Sequence, residues 1–418
     1  MATLGSDPST GATTPHPYRW VMLGGVWLSY FVFGLSTAAL APLVTPVITD
    51  LGMNHSEMGA VLGGWQLVYI ASAMACGAFL DRVGIRRGIM IAGLVIATSN
   101  VLRSLAQDYV TLFLAVAVFG LGGPLVSVGA PKLISQWFGA GERGLAMGVY
   151  ITGASLGNMT SLAVTNAVMM PLLDNSWRAV LLFYAGVVLT AAMIWTLIAA
   201  HPTSRELERK AAAEPRLPQR QIFAKLFRSR AVRIVLLMSV GAFFINHGFN
   251  NWLPEILRAG GMSAEAAGLW AAIPTAVGIM GALTIPRLAT PPRRLPIIVG
   301  ILVCSCIATQ MIRIGGEIPT LVGVIAQGLS RGSMLSLLML VLIEAPGVDI
   351  KSTGSAGGLF FSAAEIGGML GPLTMGAVSD ATGGFAMGLN LLTAVAAFLI
   401  GLLWLLKREY RRAGDGGR

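Results

Sequence analysis

Twelve long apolar runs constrain the fold of this chain more than any other feature. Charged and turn-forming residues separate the runs, and each run has about the 20 residues that an α-helix needs to cross a bilayer core. The pattern predicts an all-α integral membrane protein with twelve transmembrane helices. The runs lie at about 20–46, 57–80, 88–106, 109–138, 145–172, 178–200, 231–257, 265–288, 295–313, 318–344, 352–379 and 384–406.

The composition supports this interpretation and excludes two others. Only 11% of the residues are charged and the mean hydropathy is +0.73, outside the range of soluble domains. The strands of a membrane barrel would be alternating segments of about ten residues, and these runs are much longer. A soluble domain and a barrel are therefore both disfavoured.

The basic residues indicate an orientation. The net charge is +10, and most of the 29 Lys and Arg residues lie in alternate loops. Such an asymmetry marks the cytoplasmic side, so we expect both termini in the cytoplasm, a bacterial inner-membrane location and no nucleic-acid partner. Four arginines are assigned to the outside: Arg103, Arg178, Arg258 and Arg313.

A polar stretch at 201–230 separates six runs from six. It predicts an N-terminal bundle at 1–200, a cytoplasmic linker and a C-terminal bundle at 231–418. The first run is too long for a signal-peptide core, so we expect it to be retained as a helix. The linker is interpreted as a plain connector, with an amphipathic surface helix as the alternative. That helix would set Phe223, Leu226 and Phe227 against Lys225, Arg228 and Arg230.

The two halves resemble each other. Aligning YITGASLGNMTSL (150–162) with FFSAAEIGGMLGP (360–372) pairs Gly157 with Gly367, and places helix five opposite helix eleven. Parallel repeats of this kind occur in transporters. The glycine pairs of the two segments predict close helix packing: Gly153 with Gly157, and Gly367 with Gly371.

The loop between runs two and three reads GAFLDRVGIRRG (77–88). It resembles the signature loop of the major facilitator superfamily, which implies two six-helix bundles that rock about a central cavity. In that family the matching acid, Asp81, latches the inner end of helix eleven, here near Ser352 and Thr353. Arg143 resembles its cationic partner in the next loop, whereas PRLATPPRR (286–294) lacks the acid. The resemblance implies a gating set of Asp81, Arg82, Arg86, Arg87 and Arg143. The segments NNWLPEIL (250–257) and SWR (176–178) are similar to permeases of the cyanate and nitroimidazole type.

Arg331 lies about halfway between Glu317 and Glu344, which places it ~20 Å from either helix end. An arginine at that depth is costly and needs a partner or a wet cavity. Glu365 is at the same depth in the next helix. We interpret Arg331 as the ligand of an anionic substrate, since its planar fork suits a carboxylate, and Glu365 as a proton carrier. A permanent structural ion pair is the alternative.

Run seven concentrates polar side chains in FFINHGFNNWLPEI, where Gly248 and Pro254 would allow the helix to break. We expect these side chains to line a cavity, with helix packing as the alternative. His247 is also a candidate proton relay. The members are Asn246, His247, Asn250 and Asn251; weaker cavity candidates are Tyr30, Gln66, Tyr69, Ser127, Thr152, Ser155 and Asn158.

Lys132 is expected to reach toward the cytoplasm, with substrate contact as a less favoured role. Neither a nucleophile motif nor a metal-ligand cluster stands out, so no enzyme activity, cofactor or metal is expected. The sequence predicts a monomeric secondary transporter, proton-coupled, that takes up a small organic anion. Proton-coupled drug efflux is the second hypothesis, and a transport-inactive membrane sensor is the third.

Overall fold

The computed structural model describes residues 16–212, 226–345, 348 and 353–415. Within these ranges the regular structure is helical, and twelve helices have at least 20 residues. They are α1 (Arg19–Ala38), α2 (His55–Val83), α3 (Ile85–Ser104), α4 (Tyr109–Trp137), α5 (Ala140–Val164), α6 (Trp177–Ala199), α7 (Arg230–Ala259), α8 (Ala264–Leu288), α9 (Pro291–Ile314), α10 (Glu317–Ile343), α11 (Thr353–Thr382) and α12 (Ala386–Asp415).

Nine helices of the described chain are long and apolar enough to cross a membrane, or ten if the bent α2 is one span. The all-α membrane fold is confirmed, but the count of twelve spans is not reached by this criterion. The helices that fall short are α5 and α11, which are rich in glycine and polar residues. Such residues suit helix contacts better than lipid contacts.

Polar caps at the loop ends determine where several helices begin. The Asn54 side chain accepts from the Glu57 backbone N–H at the start of α2, and Glu57 returns a bond to the Asn54 backbone N–H. Asp108 and Thr111 make the same reciprocal arrangement at α4. These caps satisfy N–H groups that would otherwise lack a partner.

Two helices differ in local detail from what the runs suggest. The first run is one candidate span, Arg19–Leu51, but it is not regular throughout: α1 ends at Ala38, a 3₁₀ turn follows at Ala41–Leu43, and a short helix covers Val44–Leu51. Pro42 lies at the start of that turn, where its missing N–H interrupts the helical ladder. Conversely, α7 continues through Gly248 and Pro254 without a break. Gly248 is buried against Gly371 of α11, so its small size serves close packing.

The glycine pairs predicted from the repeat do pack closely. A Cβ at Gly153 or Gly157 would collide with the α1 backbone at Trp27 and Phe31. A Cβ at Gly367 or Gly371 would collide with the α7 backbone in the same way. The prediction of close contact is confirmed, and α5 on α1 is the counterpart of α11 on α7.

The same correspondence extends through the two halves. In the first half α2 packs on α4 and α3 packs on α4 and α6; in the second α8 packs on α10 and α9 packs on α10 and α12. Between the halves, α2 packs on α11 and α5 packs on α8. The two six-helix bundles therefore meet along two related seams. The domain limits at 200 and 231 stay a prediction.

One end of the bundle closes the seam between α2 and α11. Asp380 of α11 accepts hydrogen bonds from the backbone N–H groups of His55 (3.1 Å) and Ser56 (2.7 Å) at the start of α2. The His55 ring packs between the rings of Trp252 and Phe385. By the predicted orientation this is the outer end.

The related seam closes at the same end. Asn166, just after α5, donates to the Ala264 carbonyl oxygen at the start of α8 (3.2 Å). Thr45 donates to Glu255 of α7 (2.6 Å). Each bond joins one half of the chain to the other, so the outer end is held shut from both sides.

Two ion pairs at the inner end each join residues of a single half. Arg19 pairs with Glu142 in the first half, and Arg294 pairs with Glu344 in the second. The linker begins with a helix, Pro202–Ala212, whose Glu208 pairs with Arg86. Phe223 and Lys225 of the predicted amphipathic segment lie outside the described residues; Leu226 is buried and Phe227 is exposed.

Candidate functional site

Polar side chains from both halves meet at the centre of the bundle. Gln66 of α2 donates from Nε2 to Nδ1 of His247 in α7 (3.3 Å). Gln66 is fully buried, and its Oε1 atom has no hydrogen-bond partner within the described part of the chain. The His247 ring also packs against Trp65 and Phe243. This bond crosses between the halves at the depth where the sequence placed the cavity.

Glu365 lies beside the same glutamine. A Cβ at Gly368 would lie 2.9 Å from Glu365 Oε2 and 3.4 Å from Gln66 Nε2. Only 6% of Glu365 is exposed, and none of the residues that the structure describes donates a hydrogen bond to its Oε2 atom. A buried carboxyl oxygen without a donor is costly in its charged form.

Arg331 does not pair with Glu365 in this structure. Its guanidinium donates from NH1 to the Thr275 hydroxyl of α8 (2.7 Å), and no ion pair involving it is found among the described residues. The two charges predicted at one depth therefore differ in their surroundings: Arg331 is bonded to Thr275, whereas Glu365 Oε2 has no hydrogen-bond partner among the described residues. This arrangement argues against a permanent structural pair.

Thr275 extends the contact of Arg331 to the other half. Its hydroxyl donates to Oδ1 of Asn158 in α5 at 3.4 Å. A single hydroxyl can accept from an arginine and donate to an amide oxygen at the same time. Arg331, Thr275 and Asn158 thus form a hydrogen-bonded bridge from α10 to α5, which we call the central bridge.

The remaining candidates of the first half make contacts with other residues of that half. Tyr69 is hydrogen-bonded to Ser127 (2.7 Å), and Tyr30 packs edge-on against Tyr150 at 4.6 Å. Thr152 accepts from the indole N–H of Trp27 (3.1 Å) within the α1–α5 contact. Tyr69 and Ser127 link α2 to α4, whereas Thr152 links α5 to α1 within the first half. Ser155 is half-buried.

The asparagines of α7 differ from one another. Asn250 donates to the side chain of Asn246 one turn earlier (2.5 Å) and to its carbonyl oxygen (2.6 Å). Asn246 also lines a pocket together with Arg331. Asn251 is half-buried. Asn246 is therefore the member of this group that lies beside the arginine.

Asp81 forms an ion pair with Lys132 of α4. Lys132 does reach toward the inner end, as expected, and its partner there is the acid of the signature loop. Arg143 instead donates to the carbonyl oxygens of Phe138 and Ser135, at 2.8 Å each, and so caps the end of α4. Ser352 lies outside the described residues, as does the side chain of Thr353.

The basic residues of the signature loop have different surroundings. Arg86 donates to the Ala199 carbonyl oxygen (2.5 Å) and pairs with Glu208 of the linker helix. Arg82 and Arg87 are more exposed than Arg86. Arg86 therefore anchors the linker to the first half.

Two functional or structural residues were missed by the sequence analysis. Thr275 follows Pro274 in an apolar run and gave no signal of its partnership with Arg331. Arg103, assigned to an outer loop, is only 2% exposed. It donates to the Ser36 carbonyl oxygen (3.0 Å) near the end of α1 and lies over the Phe119 ring. The C-terminal end of α1 supplies this carbonyl acceptor, which counting Lys and Arg residues along the sequence does not reveal.

Comparison with known proteins identifies the family. The sequence profile of the Major Facilitator Superfamily matches residues 26–348, well over half of the chain. The chain belongs to the major facilitator superfamily. Structural likeness agrees: a bacterial homologue of the human lysosomal transporter Spinster, in an inward-facing and unoccupied conformation, superposes with a TM-score of 0.76. That match has 16% identity and covers 95% of this chain and 98% of the other.

Two curated relatives of this superfamily member are named as organic-acid transporters. The probable sulfoacetate transporter SauU of Cupriavidus necator is 24% identical over 397 residues, covering 88% of this chain and 89% of the relative. The probable galactarate/D-glucarate transporter GudP of Escherichia coli K12 is 22% identical over 450 residues, covering 96% of each. The chain is thus a multi-pass membrane protein of a transporter family, and its curated relatives are transporters.

Proposed function

We propose that this transporter takes up a small organic anion together with a proton, by alternating access. Arg331 carries the proposal. It is a half-buried cation in the middle of α10, hydrogen-bonded to a neutral hydroxyl, and not neutralised by an ion pair in the described structure. A membrane-embedded arginine of this kind favours an anionic ligand.

The relatives point in the same direction. The acids in their names, sulfoacetate, galactarate and D-glucarate, are small organic anions. A central arginine disfavours lipophilic cations, so drug efflux is the weaker candidate. The inner-membrane location, cytoplasmic termini and monomeric state belong to this proposal.

Glu365 is the proposed proton carrier. Its Oε2 atom lies close to Gln66, and neither this atom nor Gln66 Oε1 has a hydrogen-bond partner among the residues described. A protonated carboxyl group is a donor, and an amide oxygen is an acceptor. Protonation of Glu365 would thus remove a buried charge and allow a bond to Gln66. His247, bonded to the same glutamine, is placed to pass the proton.

The contacts at the two ends of the molecule support an inward-facing conformation as one state of the transport cycle. The closed outer end and the within-half ion pairs at the inner end correspond to an inward-facing arrangement. In the opposite state, Asp81 would exchange Lys132 for the inner end of α11. The gating roles of Asp81, Arg82, Arg86, Arg87 and Arg143 are part of this proposal.

The test is uptake into liposomes that contain the purified protein, with butyrate, sulfoacetate and D-glucarate as probes and an imposed pH gradient. We expect wild-type uptake of at least one probe, no uptake with Arg331→Gln, and uptake independent of the pH gradient with Glu365→Gln. Arg313→Gln, an exposed arginine of the outer end, is the matched control. Wild-type rates in a folded Arg331→Gln protein would refute the proposal.

A further inference from the structure

A small pocket lies beside Arg331, inside the second half of the molecule. Its walls come from α7, α9, α10 and α11, so it extends behind α10 and away from the seam between the halves. The space inside it is about 20 Å³. One water molecule needs at least ~10–15 Å³. The pocket is therefore the size of a water molecule and too small for an organic substrate.

The guanidinium of Arg331 has donors left over for this pocket. Its recorded hydrogen bond runs from NH1 to the Thr275 hydroxyl of the central bridge. A guanidinium carries five N–H donors, of which Nε and NH2 hold three. These three have no protein acceptor among the residues that the structure describes. A donor without an acceptor is costly away from bulk water, so a small polar partner would stabilise the arginine.

Gln327 has the complementary deficiency. It is 1% exposed, lines the pocket, and its Oε1 atom has no hydrogen-bond partner in the described chain. Gln327 precedes Arg331 by one helical turn, so the two side chains start ~5–6 Å apart on one face of α10. Arginine only donates and an amide oxygen only accepts, so a water between them can satisfy both.

The other polar groups of the lining are already engaged in part. Ser305 and Ser330 are bonded to each other at 2.5 Å. The Asn246 side-chain oxygen accepts from Asn250, which leaves the Asn246 amide N–H groups for the pocket. The rest of the wall is apolar and consists of Phe243, Leu302, Phe360 and aliphatic neighbours. The pocket thus supplies the two to four polar partners that a buried water requires.

We propose that this pocket holds one ordered water molecule that joins Arg331 to Gln327, and that Gln327 is thereby a positioning residue for the anion-binding guanidinium. The inference rests on the proposed anion transport and deepens it. The water accepts from the guanidinium and donates to the Gln327 amide oxygen. Arg331 is then held from two sides, by the water within the second half and by Thr275 toward the first. A group that is already held in one orientation loses less conformational freedom when it binds an anion.

The first test is structural. Structures of the full-length protein in lipid nanodiscs, at a resolution that shows ordered water, are compared for wild type, Gln327→Leu and Gln310→Leu. We expect a density peak in the wild-type pocket at about 2.7–3.2 Å from an Arg331 nitrogen and from the Gln327 amide. The peak should be absent in Gln327→Leu. It should persist in Gln310→Leu, because Gln310 is bonded to Asn390 and Thr393 outside the pocket. A wild-type pocket without the peak would overturn the inference.

The second test measures transport in two variants that displace the water differently. Gln327→Leu removes its acceptor, whereas Ser330→Thr keeps the hydroxyl and adds a methyl group to the lining of the pocket. With butyrate, sulfoacetate and D-glucarate as probes, we expect each variant to raise the KM of the transported probe about tenfold, as for one lost hydrogen bond. The maximal rate should change much less, and Gln310→Leu should keep the wild-type KM.

The outcomes separate this inference from the proposed function. An unchanged KM in both Gln327→Leu and Ser330→Thr, with uptake abolished in Arg331→Gln, would overturn the positioning role and leave anion transport standing. Wild-type uptake in a folded Arg331→Gln protein would overturn anion transport and this inference with it.

Discussion

Ser56 and Asp380 join the two halves of the protein across the outer end. The Asp380 carboxylate accepts from the Ser56 backbone N–H at 2.7 Å and from its hydroxyl at 2.5 Å, while also accepting from the His55 N–H. The carboxylate therefore lies at the positive N-terminal end of α2, where an anion is stabilised. Because three hydrogen bonds across the outer end depend on this one carboxylate, we expect closure of the outer end to depend on Asp380.

Replacing Asp380 with Asn should weaken closure of the outer end. An amide keeps the shape but loses the charge, and hydrogen bonds to charged groups are the stronger ones. We expect the population with an open outer end to rise about tenfold. Leu172, after α5, and Ile318, at the start of α10, are exposed positions at the outer end of opposite halves. Spin labels at these two positions would report opening as a longer distance between them.

The control for this prediction is Asp174→Asn, in the loop after α5. Asp174 has a left-handed backbone conformation, which asparagine also tolerates. Its substitution should leave the distance distribution unchanged. The same distribution in wild type and Asp380→Asn would mean that other contacts hold the outer end.

Structural features that depend only on a short stretch of sequence, such as glycine spacing and apolar runs, were predictable. The spacing of the glycine pairs 153/157 and 367/371 predicts close helix contact, because the absence of Cβ atoms on one face lets any two helices approach closely. Helix number and order follow from apolar runs, although the glycine-rich α5 and α11 are less apolar than the rest. The break at Pro42 was missed because the run stays apolar through it.

Partnerships across the fold were not predictable. Arg331 could be placed at the middle of the membrane by counting residues, but its bond to Thr275 depends on how α8 packs against α10. Likewise, Asp81 was expected near Arg143, and the structure pairs it with Lys132. Chain position gives the depth of a side chain, whereas the direction of its partner requires the packing of other helices.

Substituting alanine at Gly157 or Gly367 should destabilise the protein. The added Cβ would meet the backbone of Phe31 or Val240, and backbone cannot move as a flexible side chain can. Overpacking of this kind costs about 1–3 kcal/mol, which thermal unfolding in detergent would measure as a lower Tm. Gly186→Ala is the matched control: nothing lies within 4 Å of its Cβ position, and alanine favours the helix. An equal Tm for the three variants would contradict the packing.

Thr275→Val should lower transport more than binding. Valine preserves the volume of threonine but removes the hydroxyl that connects Arg331 with Asn158. The guanidinium stays available to the anion, while the connection to α5 is lost. We expect the maximal uptake rate to fall about tenfold, with anion affinity changed much less. Thr275→Ser keeps the hydroxyl and should restore the rate; a wild-type rate in Thr275→Val would exclude the central bridge from the cycle.

Replacing Lys132 with Met should favour closure of the inner end. Lys132 pairs with Asp81 inside the first half, so its removal weakens the hold of that half on Asp81. The pair is partly exposed, and such pairs contribute about 1 kcal/mol or less; the shift in population should be correspondingly small, about two- to fivefold. Spin labels at Gly139, just before α5, and at Leu288, the last residue of α8, lie at the inner ends of opposite halves and should show a shorter distance. The decisive comparison adds Lys132→Met to a protein that already carries Asp81→Asn. In that background Lys132→Met should cause no further change in distance, because the carboxylate on which it acts is absent. A shift that persists in the double variant would mean that Lys132 acts on the inner end without Asp81.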